Sequence, residues 1–154
     1  LVNPAFPKNQ LVGVFDLELA RIYGYLFQKT DKNFAILHAL DGYDEISLTG
    51  KTKIIRNSSE QMLAPEDFGV SQIKPEQIFG GDTVEKAAEI FIEVISGKGT
   101  EAQNNVVCAN AGMAIATVDG LTAKEGFERA KSLLLRQSPL VKPLQMNFYT
   151  TQCR

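Results

Sequence analysis

Residues 11–38 constrain this chain most, because they order an apolar run of strand length, a stripe at helical spacing and a second apolar run. Leu11-Val12-Gly13-Val14-Phe15 reads as a short buried strand. Asp16 can cap the helix that follows, and Leu19, Ile22, Tyr23 and Leu26 give that helix one apolar stripe. Phe34-Ala35-Ile36-Leu37-His38 is the second strand. Two strands joined through a helix form a parallel crossover rather than a hairpin. Residues 11–15 and 34–38 are therefore expected side by side and parallel. Asn3-Pro4-Ala5-Phe6-Pro7-Lys8, ahead of the unit, is extended or turning, since two prolines exclude a helix there.

The chain changes character after this unit. Asp41-Gly42-Tyr43-Asp44-Glu45 is an acidic, glycine-containing loop at the carboxyl end of a strand, where open α/β sheets tend to bind ligands. Residues 46–55 offer one or two β-branched strands interrupted at Gly50, and residues 62–69 read as irregular. Three helices follow over 82–97, 101–118 and 122–135. Their starts are marked by the pairs Asp82/Glu85, Thr100/Gln103 and Thr122/Glu125, each with capping-box spacing. The first carries Val84, Ala87, Ala88, Phe91, Val94 and Ile95 on one face and can end at Gly97. The second is rich in small residues (Ala109, Ala111, Gly112, Ala114, Ala116), which suits a central helix that other backbones approach closely. The third is expected to bury Phe127, Ala130, Leu133 and Leu134. The fold class expected is α/β, a mixed sheet flanked by helices.

At 154 residues the chain has enough material for one domain with a real core. A net charge of −2 argues against a large nucleic-acid face, which needs clustered Lys and Arg. The two cysteines, Cys108 and Cys153, have neither metal-site nor disulfide spacing, and Cys108 reads as a small buried hydrophobe. Reduced cysteines fit a cytoplasmic protein. The apolar runs are too short to span a bilayer, and no charged segment leads into an apolar one at the start. The absence of an initiator Met leads us to expect a piece of a longer chain, or a processed product.

Among the motifs, Asp44-Glu45 is the sharpest. Mg²⁺ takes one or two protein carboxylates and completes its shell with water and substrate phosphates. In a strand two adjacent acids would point to opposite faces, whereas in a glycine-containing loop both can turn to one site. Read bare, the pair is either such a site or a solvated acidic loop. Gly80-Gly81-Asp82 invites a phosphate-cradle reading, but an acid at the helix cap would repel the anion and no P-loop lysine follows. His38, the only histidine, is either an acid–base group or a satisfied, half-buried imidazole. Asn110, in an apolar helix, suits a hydrogen bond to nearby backbone more than a ligand.

Several segments together resemble one family. Asn3-Pro4-Ala5-Phe6-Pro7-Lys8 with Gln10-Leu11-Val12-Gly13-Val14 is similar to its Asn-Pro-Ala-x-Pro, Gln-x-x-Gly-Val stretch. The segment from His38 to Ser47, containing Asp41-Gly42-Tyr43-Asp44-Glu45, resembles its His-Gly, Asp-Gly-x-Asp-Glu segment. Pro65-Glu66-Asp67-Phe68-Gly69, Gly80-Gly81-Asp82 and Asn110-Ala111 follow in matching order and spacing. On these residues the chain resembles the anthranilate phosphoribosyltransferases, from residue 1 to about residue 135.

The resemblance implies a catalytic α/β domain like those of nucleoside phosphorylases and phosphoribosyltransferases, without its N-terminal helical domain. The implied reaction moves phosphoribosyl from phosphoribosyl pyrophosphate to anthranilate, in tryptophan biosynthesis, with Mg²⁺ as cofactor. It implies Asp44 and Glu45 as the metal-binding acids. No nucleic-acid or membrane partner is expected, on the charge and the short apolar runs given above. The intact enzyme is implied to be a homodimer formed through the missing domain.

Departures accompany the match. The family's Gly-Thr-Gly-Gly-Asp loop, its Lys-His-Gly-Asn segment and its anthranilate-binding Arg are expected upstream of Leu1, so the chain alone is expected to be inactive. Lys86 stands where the family usually has Asn, and residues 136–154, with Pro139 and Pro143, do not follow the family's helical ending. A pyrimidine-nucleoside phosphorylase shares the fold but uses inorganic phosphate and does not need the acid pair. A non-catalytic nucleic-acid-binding relative would show a basic face.

Overall fold

The structure, a computed structural model, describes residues 5–136. Strand β1 (Asn9–Gly13) leads through helix α1 (Leu17–Phe27) into β2 (Asn33–Ala39), and β1 and β2 pair in parallel with Leu11 opposite Ala35 and Gly13 opposite Leu37. The expected crossover is present, started by the Asp16 carboxylate, which accepts from the Leu19 N–H at 2.7 Å. Strands β3 (Thr52–Arg56) and β4 (Glu60–Leu63) follow antiparallel, giving a mixed four-stranded sheet in the order β1-β2-β3-β4.

Residues 34–37 of β2 form an unbroken apolar run because both faces of the strand are covered. Phe34 and Ile36 point to one face, where they pack with Val14, Ala20, Phe27 and Ile55, and the Phe27 and Phe34 rings stack with centroids 5.1 Å apart. Ala35 and Leu37 point to the other, against Met113, Ala116 and Phe127 of helices α3 (Glu101–Asp119) and α4 (Ala123–Leu135). The small-residue helix is central, as its composition suggested. Gly112 of α3 meets Gly126 of α4 so closely that a Cβ on Gly126 would lie 2.2 Å from the Gly112 carbonyl oxygen.

The structure corrects several expectations. Helix α2 (Val84–Ile95) is capped by Thr83, which accepts from the Lys86 N–H, and not by Asp82. Residues 46–50 form no strand: Leu48 sits at φ 59°, a left-handed conformation that cannot continue a strand. Glu60–Leu63, by contrast, is a strand, at the sheet edge. On α1 the buried residues are Ala20, Gly24 and Phe27, while Ile22 and Leu26 of the expected stripe are exposed. Leu133, expected in the core, is exposed, as are Val84, Phe91 and Ile92 of α2. The capping boxes at Thr100/Gln103 and Thr122/Glu125 are both formed. Residues 137–154, read as an atypical tail, lie outside the described residues.

Candidate functional site: the acidic loop at the carboxyl end of β2

The loop between β2 and β3 carries the acid pair, and its path is set by backbone bonds at the strand end. Gly42, at φ 100°, turns the chain so that its N–H donates to Ala39 O at 3.0 Å, while the Ala39 N–H donates to Tyr43 O at 2.9 Å. Asp44 and Glu45 follow directly, both exposed, and Ile46 to Thr49 then run into the interior. Strand β1 meets the loop from below. A Cβ on Gly13 would lie 1.5 Å from the Asp44 carbonyl oxygen, so only glycine allows this approach.

A polar knot closes the base of the loop. The Thr49 hydroxyl donates to the Asp41 carboxylate, and the Ser47 hydroxyl donates to it at 3.4 Å. Gln72 adds a bond from Nε2 to Thr49 O at 2.6 Å. From α3, Asn110 bonds both backbone polar groups of Ile46. This bears out the reading of Asn110 as a backbone partner, although the backbone it holds is distant in sequence.

The two carboxylates are left uncommitted. The three ion pairs among the described residues, Lys53–Glu60, Lys86–Glu89 and Arg129–Asp119, leave Asp44 and Glu45 out. No group of three or more His, Cys, Asp or Glu side chains is placed to hold a metal among the described residues. A cation at Asp44-Glu45 would thus have two protein carboxylates and would need further oxygens from water or substrate. That donor set fits Mg²⁺, which keeps several waters and binds phosphate oxygens, and does not fit a soft or caged metal. Glu45 also borders an open groove of about 650 Å³, with Tyr43, Pro75, Phe79 and Val106 among its walls.

The other candidates fall away from chemistry. His38 is buried, and its Nδ1 lies 2.9 Å from Val14 O. A carbonyl only accepts, so Nδ1 carries the proton and donates, which ties β2 to the chain leaving β1. Cys108 is buried in the core, and desolvation pushes its thiol up. Asp82 is exposed on the turn before α2. Sequence reasoning singled out the acid pair and placed Gly13 and Asp41 in motifs without giving either a role, and it did not find the distant partner of Asn110. The signal for that partner was a polar side chain in an apolar helix.

Residues 1–136 match the glycosyl transferase family, a/b domain. The chain belongs to this family. Within it, the chain is similar to the anthranilate phosphoribosyltransferase of Flavobacterium psychrophilum, 65% identical over 135 residues, which cover 88% of this chain and 41% of that protein. The Bacteroides fragilis (strain YCH46) anthranilate phosphoribosyltransferase is 46% identical over 118 residues, covering 77% of this chain and 36% of that protein. The chain thus spans well under half the length of these glycosyl transferase relatives. In fold it resembles the Saccharomyces cerevisiae anthranilate phosphoribosyltransferase in complex with PRPP and Mg, with a TM-score of 0.71 at 24% identity over 83% of this chain and 37% of that one. The Thermus thermophilus enzyme gives a TM-score of 0.70 at 23% identity over 79% of this chain and 37% of that one. No single helix among the described residues is long and apolar enough to cross a membrane.

Proposed function

We propose that this chain is the metal-holding part of a cytoplasmic anthranilate phosphoribosyltransferase, with Asp44 and Glu45 as its Mg²⁺ ligands. The observation that carries the reading is the pair itself: adjacent, exposed, unpaired carboxylates on a loop held down at both ends over the carboxyl edge of a parallel strand pair. The similarity to relatives named for that activity supplies the reaction.

In that reaction the anthranilate amine forms a C–N bond to C1 of the phosphoribosyl group as the C1–O bond to pyrophosphate breaks. The bonding electron pair leaves with pyrophosphate, and the amine sheds a proton. Asp44 and Glu45 would hold a magnesium ion that, when bound, would neutralise charge on the leaving pyrophosphate. Asp44 and Glu45 contribute a doubly negative, solvent-facing pair that attracts the cation without cancelling its charge against a protein cation. Gly13 and Asn110 limit where that pair can stand. Groups that hold both substrates together, which proximity requires, belong to the rest of the relatives' length, as does the homodimer contact.

The test is a graft. The matched 135-residue segment of the Flavobacterium psychrophilum enzyme is replaced by the corresponding residues of this chain, and anthranilate consumption is followed by fluorescence. Turnover comparable with the parent enzyme supports the reading, with the isolated chain inactive. A folded graft with no transfer to anthranilate contradicts it.

A further inference from the structure

We infer that Asn110 is a positioning residue for the acid pair: from the middle of α3 it fixes the backbone on which Asp44 and Glu45 stand. The inference rests on reading those carboxylates as a metal site. Ile46 directly follows Glu45, and one side-chain amide takes both of its backbone polar groups. The Ile46 N–H donates to Asn110 Oδ1 at 2.9 Å, and Asn110 Nδ2 donates to Ile46 O at 2.8 Å, across 64 residues of sequence. This is the pairing a neighbouring strand would supply, delivered here by one side chain.

The amide cannot turn over. Its second Nδ2 hydrogen goes to Val106 O at 3.0 Å, one turn back along α3, and a flipped amide would set donor against donor and acceptor against acceptor. The Ile46 side chain, 1% exposed, is packed in the core beneath. The residue after Glu45 is therefore fixed by two hydrogen bonds and by packing. The backbone of Asp44 rests on Gly13. The acid pair stands between these two anchors with its carboxylates free. A cation that demands near-octahedral oxygen geometry and dehydrates reluctantly gains from such pre-set ligands, and losing a group that orients metal ligands typically costs roughly 10–100-fold in affinity.

The test uses the full ¹⁵N-labelled chain, with Mn²⁺ and inorganic pyrophosphate as the probe and paramagnetic broadening of the amide signals of residues 43–46 as the readout. Asn110→Ala, and Asn110→Gln, which keeps the amide but displaces it by one methylene, should each raise the Mn²⁺ concentration for half-broadening about tenfold. Signals from the sheet should be unmoved. Thr117→Val removes a buried hydroxyl bond to Met113 O (2.8 Å) on the same helix without touching the loop, and should leave Mn²⁺ binding unchanged. Folded Asn110 variants that bind within twofold of the wild type, or a Thr117→Val shift as large as theirs, would overturn the positioning role. The double substitution Asp44→Asn, Glu45→Gln separates the two ideas. If it binds Mn²⁺ like the wild type, the metal reading itself fails. If it loses binding while the Asn110 variants keep theirs, only the positioning role falls. Should Asn110→Ala not fold, Asn110→Gln carries the comparison alone.

Discussion

Replacing Gly13 by Ala should dislodge the acid loop while leaving the fold in place. The new Cβ would lie 1.5 Å from the Asp44 carbonyl oxygen and 2.6 Å from its carbonyl carbon, whereas real Cβ contacts essentially never fall below 3.0 Å. The loop or the strand end must therefore move by about 1.5 Å, and both partners are backbone, so no side-chain rotation relieves the clash. Gly13 is the last residue of β1 and pairs with Leu37 of β2, so the strand end is the stiffer partner and the loop should give way. Overpacking of this kind costs roughly 1–3 kcal/mol, and each kcal/mol moves Tm by about 2–4 °C in a chain of this size. The expected drop in Tm is then roughly 2–12 °C. Thermal unfolding followed by circular dichroism measures it, and amide shifts across residues 41–49 report where the displacement goes. A variant with Tm within about 1 °C of the wild type and unmoved signals at residues 43–46 would refute the close approach on which this reasoning depends.

Two further outcomes follow from the packing and capping. Gly126→Ala should destabilise by about 1–3 kcal/mol in thermal unfolding, although Gly to Ala in a free helix stabilises, because its Cβ would meet the α3 backbone; a stabilised variant would contradict the helix crossing. The Glu125 carboxyl is held below its ordinary range, first by the Thr122 backbone N–H and then by the Thr122 hydroxyl, so its contribution to stability is present above the unfolded pKa and is lost as pH falls through the lower, folded one. Thr122→Ala removes only the smaller of these causes and keeps the backbone N–H, so the Glu125 titration, followed by NMR, should rise only part of the way toward the ordinary carboxylate range.

What could be read from the sequence was local or strictly periodic. The parallel pairing of the first two strands followed from two apolar runs around one helix, although β1 lies at Asn9–Gly13, two residues before the expected 11–15, and the boxes at Thr100 and Thr122 followed from single spacings. At the start of α2 two capping residues stand in a row, Asp82 and Thr83, and capping-box spacing pointed to Asp82 because Glu85 lies three residues on, whereas Thr83 caps the helix. The edge strand β4 carries Glu60 and Gln61 on an exposed surface, which leaves no apolar alternation to detect. The β-branched stretch after Glu45 resembles a strand, yet Asp41 and Asn110 hold it in another shape through contacts that no spacing rule encodes. The same holds at the site. The acid pair was legible because its two residues are adjacent, whereas the groups that aim it come from β1 and α3.

Steady-state kinetics across a Mg²⁺ titration of the grafted enzyme, with Asp44 and Glu45 both changed to Ala, test the central claim most directly. Losing an electrostatic contact to a developing charge is worth on the order of 3 kcal/mol, or roughly a hundredfold in kcat. The account predicts that loss with an unchanged circular dichroism spectrum, and a Mg²⁺ requirement displaced to much higher concentration. A well-folded double variant with wild-type kcat and the wild-type Mg²⁺ dependence would contradict it and return Asp44-Glu45 to an ordinary solvated acidic loop.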